Sequence, residues 1–87
     1  MKTITYTITD ALGLHARPAG ILVKNAGGYA SKITIKNQEN GKEADAKRII
    51  GVMALGVKCG NTIELTVDGS DEDQAAAELQ AFLKENL

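Results

Sequence analysis

Apolar and polar residues alternate strictly in several short runs of this chain, and between those runs the apolar spacing changes to that of a helix. Over residues 2–8, Ile4, Tyr6 and Ile8 fall on one side and Thr3, Thr5 and Thr7 on the other, which predicts a half-buried strand. Over residues 16–27, Ala16, Ala19, Gly20, Leu22, Val23 and Ala26 form one helical stripe, and Gly27-Gly28 supplies a stop. Ile33 and Ile35 alternate with Lys32, Thr34 and Lys36 in a second strand. Asn40-Gly41 then offers turn chemistry before a short third strand near residues 42–46. Residues 47–55 read as a short apolar helix containing Gly51 and stopped by Gly56. Ile63, Leu65 and Val67 alternate with Thr62, Glu64 and Thr66 in a fourth strand. Ser70 is expected to cap a last helix whose apolar face is Ala75, Ala76, Leu79, Phe82 and Leu83, with Asp71, Glu72 and Asp73 matched to its dipole. The order βαββαβα predicts an α+β open-faced sandwich, with helices on one side of a four-stranded sheet and the other face open to water. No linker, repeat or low-complexity segment divides the chain, so residues 1–87 are expected to form one domain.

Composition removes several classes of function. The 87 residues are 44% hydrophobic, enough for a core in a small domain, and a single cysteine rules out an intramolecular disulfide framework. Cys59 stands between Lys58 and Gly60 with no histidine or second cysteine close in sequence, so a structural or incidental thiol is the expectation rather than a metal ligand or nucleophile. A net charge of −1 gives no broad basic field for nucleic acid. Neither an export signal nor an 18-residue apolar stretch is present, so a soluble cytoplasmic protein with no membrane insertion is expected.

The chemistry gathers on one residue. His15 is the only histidine and lies in Gly13-Leu14-His15-Ala16-Arg17-Pro18-Ala19, where a loop turns into the first predicted helix. A lone histidine is commonly an ordinary boundary side chain, and its neighbours decide otherwise. Pro18 fits a first helical turn, where an N–H would be unpaired anyway. Arg17 adds a cation. With His15 at the cap position, the N–H groups of Ala16 and Arg17 face the imidazole without a Ser, Thr, Asp or Asn side chain already occupying them. Unpaired donors at the positive end of a helix dipole suit a phosphoryl group. No metal cluster or general-base pair accompanies His15, so neither metal nor cofactor is expected.

This heptapeptide, together with Ile49-Ile50-Gly51-Val52-Met53-Ala54-Leu55-Gly56 at matching distance and in the same element order, resembles the HPr family of histidine phosphocarriers of the bacterial sugar phosphotransferase system. The resemblance covers essentially the whole chain and implies an antiparallel sheet. It further implies that His15 accepts a phosphoryl group on Nδ1 from Enzyme I and passes it to IIA domains of sugar transporters, with Arg17 assisting and Ala16 and Arg17 holding phosphate. On this reading the protein is a monomeric carrier and not a stand-alone enzyme. Periodicity alone favours burying Ile49, Ile50 and Met53. The resemblance instead implies that they stay exposed as a docking patch, with Val52 and Leu55 inward and Lys24, Lys47 and Arg48 as a basic rim that is otherwise merely solvated. The sequence departs from the family pattern in three places. Leu12 stands where a polar Asn or Ser is common, the hairpin after the second strand is about two residues longer, and Arg48 replaces a serine that a regulatory kinase phosphorylates in many members. A specialised paralogue in a regulatory circuit, or a non-catalytic interaction domain, are the alternatives.

Overall fold

A computed structural model describes residues 1–87. It orders the elements as β1 (Lys2–Thr7), α1 (Ala16–Gly27), β2 (Lys32–Asn37), β3 (Glu43–Asp45), α2 (Ile49–Met53), β4 (Thr62–Asp68) and α3 (Glu72–Asn86). The strands form one sheet in the order β1-β4-β2-β3, with every neighbouring pair antiparallel. The period-two pattern sets the register. Leu65 at the centre of β4 lies between Ile4 of β1 and Ile35 of β2, and Val67 lies opposite Ile33, so the apolar side chains share one face. On the other face Glu64 lies between Thr5 and Lys36, and Thr66 between Thr3 and Thr34. A slip of one residue would exchange the two faces, which is why burial fixes the pairing.

The helices close over the apolar face. Leu22 and Ala26 of α1, Val52 of α2, and Leu79, Phe82 and Leu83 of α3 join the strand residues in one core of 20 buried residues. No helix is long and apolar enough to cross a membrane.

Several local expectations need correction. The short helix spans only Ile49–Met53, because Ala54 and Leu55 form a turn and Arg48 keeps extended backbone at its start. The third strand shrinks to Glu43–Asp45. Ala16 and Gly20 are exposed rather than core-facing, while Pro18 is buried in their place. Gly28 ends α1 with right-handed geometry and not the left-handed glycine conformation, since bonds from Gly28 and Tyr29 back to Asn25 and Ala26 tighten the last turn. Ser70 does not cap α3. The cap position belongs to Asp71, whose carboxylate reaches across to the N–H groups of Ala30 and Ser31 and to the Ser31 hydroxyl. Ser31 lies just before β2 and is fully buried. Beside it, Tyr29 donates its hydroxyl to Glu78, and burial followed by that carboxylate pushes the phenol up to about 12.

Candidate functional site at the start of helix 1

The loop ahead of α1 is held by backbone contacts that leave the His15 side chain free. Gly13 adopts φ +68°, a conformation disfavoured for residues with a Cβ, and a Cβ there would lie 2.5 Å from the Val57 carbonyl oxygen and 2.7 Å from the Lys58 Cα. Close approach to the β4-side loop therefore requires glycine. The Leu14 N–H donates to the same Val57 carbonyl at 3.1 Å, and the Leu14 side chain is buried. At the other end of the loop, the Leu87 main-chain oxygen accepts the N–H groups of Thr9 and Asp10 and the Thr9 hydroxyl.

His15 is the cap residue of α1, with extended backbone and a ring about one-third exposed. Its carbonyl accepts the Ala19 N–H at 3.0 Å, which starts the helical ladder. The Ala16 and Arg17 N–H groups have no acceptor within the protein, no side chain caps the helix, and the first turn contains no acidic residue. Arg17 is exposed, and it lines an open cleft of about 290 Å³ with His15, Asp10, Pro18, Ile21, Glu85 and Asn86. Free donors, a cation and the positive end of a twelve-residue helix thus meet beside one imidazole, an arrangement able to hold a multivalent oxyanion against a nucleophilic nitrogen.

A second surface lies on α2. Ile49 is 40% exposed, Ile50 82% and Met53 41%, whereas Val52 and Leu55 are buried. A five-residue helix carrying so much exposed apolar surface is not explained by core formation. Lys24 is exposed in the last turn of α1, and Arg48 is exposed with its guanidinium 4.0 Å from Asp45. Lys47 is less free, because its amine donates to the Tyr29 carbonyl at 2.8 Å. Leu12 is 73% exposed beside the His15 loop.

Sequence reasoning passed over Asp10, Ile21, Glu85 and Asn86. Ile21 lies one turn beyond Arg17 on the same face of α1, whereas Glu85 and Asn86 reach the cleft only through tertiary packing, so no local signal marks them. Asp10 did carry one. Aspartate followed at the third position by Gly13 is turn chemistry, and its Oδ1 accepts the Leu12 N–H at 2.9 Å while its carbonyl accepts the Gly13 N–H at 2.9 Å.

Comparison with known proteins defines the class. A sequence model of the family described as PTS-HPr, "PTS HPr component phosphorylation site", matches residues 2–85, and the chain belongs to that family. It is a phosphocarrier of the phosphotransferase system and not a stand-alone enzyme. A phosphocarrier protein HPr from Lysinibacillus sphaericus is 47% identical over 85 residues, covering 98% of this chain and 94% of the relative. The solved structure of a Mycoplasma histidine-containing phosphocarrier protein superposes with a TM-score of 0.90 at 39% identity, covering 97% of this chain and 93% of that one. Crh, a catabolite repression protein of Bacillus subtilis seen as a dimer with a swapping domain, is similar at a TM-score of 0.75 and 32% identity, covering 100% of this chain and 98% of that one.

Proposed function

We propose that residues 1–87 act as one cytoplasmic HPr domain that carries the phosphoryl group on His15, accepting it from Enzyme I and passing it to IIA domains of sugar transporters. The observation that carries this reading is the unfilled start of α1, where the only histidine of the chain caps a helix whose Ala16 and Arg17 N–H groups are unpaired. Phosphoryl transfer depends mainly on positioning and charge stabilisation, so a small carrier can supply half of a site and leave its partner to complete it. Here the half site is the Nδ1 nucleophile of His15, two backbone donors and the Arg17 guanidinium. Ile49, Ile50 and Met53 provide the transient apolar contact, and Lys24 and Arg48 raise the association rate with acidic partner surfaces.

Incubation with Enzyme I and phosphoenolpyruvate tests the reading. Wild type should gain an acid-labile, base-stable phosphate, His15→Ala should gain none while keeping its fold, and Arg17→Ala should gain it more slowly. No incorporation into wild type with several sources of Enzyme I would reject the carrier role. The docking surface has its own test. Met53→Glu places an unpaired charge in an apolar contact and should weaken Enzyme I binding by about tenfold or more. Unchanged binding by a folded variant would remove α2 from the interface.

The likeness to Crh keeps a specialised regulatory paralogue as the second reading. Arg48 bears on it, since a fixed positive charge stands where the family resemblance expects a phosphorylatable serine. The other serines offer no substitute, because Ser31 is buried with its hydroxyl bound to Asp71 and Ser70 stands in the turn ahead of α3 rather than on α2. Treatment with HPr kinase and ATP should therefore modify Arg48→Ser and leave wild type unmodified.

A further inference from the structure

We infer that Asp10 is a positioning residue that decides which nitrogen of His15 is free to react: its carboxylate keeps the ring proton on Nε2 and leaves the Nδ1 lone pair for the phosphoryl group. The inference rests on the reading of His15 as the phosphoryl carrier. Its geometric basis is independent of that reading, because the Asp10 Oδ2 lies 3.8 Å from the His15 Nε2 and both side chains are about one-third exposed in the same cleft.

The two oxygens of this carboxylate have different duties. Oδ1 accepts the Leu12 N–H, and the Asp10 backbone is fixed on both sides, with its N–H donated to the Leu87 main-chain oxygen at 2.8 Å and its carbonyl accepting from Gly13. The loop therefore holds the side chain with Oδ2 turned toward the imidazole. An ionised carboxylate only accepts hydrogen bonds, and a neutral imidazole has one N–H and one lone pair. The ring nitrogen facing Oδ2 is thus the protonated one, and a modest closure of the 3.8 Å gap completes the bond when a partner covers the cleft. Neither ring nitrogen has any other hydrogen-bond partner in the protein to compete with this choice. Leu12, with its side chain 73% exposed, contributes only its backbone N–H to the arrangement.

The same contact strengthens during transfer. The Nδ1 lone pair forms the new N–P bond as the donor's bond to phosphorus breaks and its electron pair leaves with the donor. Nε2 keeps its proton, so the His15 ring passes from neutral to cationic beside a fixed carboxylate. Arg17 and Glu85 also line the cleft, and Arg17 serves the incoming phosphoryl oxygens while Asp10 serves the ring.

Asp10→Asn provides a sharp test, because the amide oxygen preserves the turn to the Leu12 N–H and the amide NH2 then faces the ring as a donor. In 15N-labelled full-length protein at about pH 9, where an ordinary imidazole is neutral, two-bond 1H–15N spectra should show the Nε2–H tautomer in wild type. They should show a shift toward Nδ1–H in Asp10→Asn. Asp10→Ser keeps a turn acceptor without the carboxylate and should show a mixture, which serves as the readout if the asparagine variant does not fold. Phosphate acceptance by Asp10→Asn should slow by about fivefold, the size expected for charges about 4 Å apart in a water-like dielectric. Identical tautomer signals in wild type and a folded variant would overturn the inference. A tautomer that follows Asp10 in a protein that takes no phosphate would instead reject the carrier reading and leave the positioning role standing.

Discussion

Two helices of this protein begin in opposite ways. At the start of α3, Asp71 occupies the cap position, Glu72 and Asp73 fill the first turn, and the region is tied to its surroundings. Asp71 accepts the N–H groups of Ala30 and Ser31 at 2.8 and 3.0 Å, and Glu72 accepts the Gly69 N–H and pairs with the Met1 amine at 2.6 Å. At the start of α1 there is no acid at the cap or in the first turn. Neither helix has a side-chain cap bond, and each leaves two first-turn N–H groups without partners, Ala16 and Arg17 in α1 and Asp73 and Gln74 in α3. Negative charge near a helix start is worth about 0.3–1 kcal/mol. The fold takes that stabilisation at α3 and forgoes it at α1, the one place where a histidine stands. Under the proposed function, the missing anion at α1 is the complement that a phosphoryl group would supply.

Emptying the filled start should have the larger effect on stability. Asp71→Ala removes acceptors from two backbone donors and from the hydroxyl of buried Ser31, so its melting temperature should fall clearly below that of wild type. The pH dependence carries a signature. The Ser31 hydroxyl first, and then the Ala30 N–H, hold the Asp71 carboxyl below its ordinary value. A carboxylate depressed in the folded state stabilises fully above its unfolded value, near 4, and loses that contribution as pH falls through the folded value. Wild type should therefore lose more stability than Asp71→Ala on acidification below about pH 4. Glu72 and Glu78 are also depressed, by the Met1 amine and the Tyr29 hydroxyl respectively, so both proteins retain some acid sensitivity and only the difference reports on Asp71. Thermal melts from pH 7 down to 2 check this, and parallel curves for the two proteins would show that the Asp71 contacts do not stabilise the fold.

The contrast was half legible in the sequence. Period-two runs identified β1, β2 and β4, because each buries one face, the Asn40-Gly41 turn pointed to β3, which buries none, and the lone histidine ahead of Arg17-Pro18 identified the open helix start. The acidic run at residues 71–73 showed that α3 is complemented, but Ser70 looked like the better cap because local chemistry does not reveal that Ala30 and Ser31 lie within reach of Asp71. Those partners are about forty residues away in sequence and are brought together by packing. The same limit explains the cleft, where Asp10 and Glu85 come from opposite ends of the chain. The exposure of Ile49, Ile50 and Met53 was beyond periodicity for a different reason. A five-residue helix is too short for its apolar spacing to distinguish an inward face from an outward one, so their exposure was expected only from the family resemblance.

Filling the empty start should have the smaller and opposite effect. A serine at position 15 matches the extended backbone there, φ −85° and ψ −179°, and its hydroxyl oxygen can accept an unpaired N–H in the first turn of α1. His15→Ser should therefore raise stability by about 1 kcal/mol, equivalent to roughly 4–8 °C in a domain of this size. It should also eliminate acid-labile phosphorylation. Inorganic phosphate sharpens the comparison, because an anion that binds the folded state raises its melting temperature. Millimolar phosphate should raise the melting temperature of wild type more than that of His15→Ser, whose hydroxyl already occupies one donor. A serine variant that melts at or below the wild-type temperature, with the same response to phosphate, would mean that the start of α1 is satisfied without a ligand, and the contrast between the two helices would lose its functional meaning.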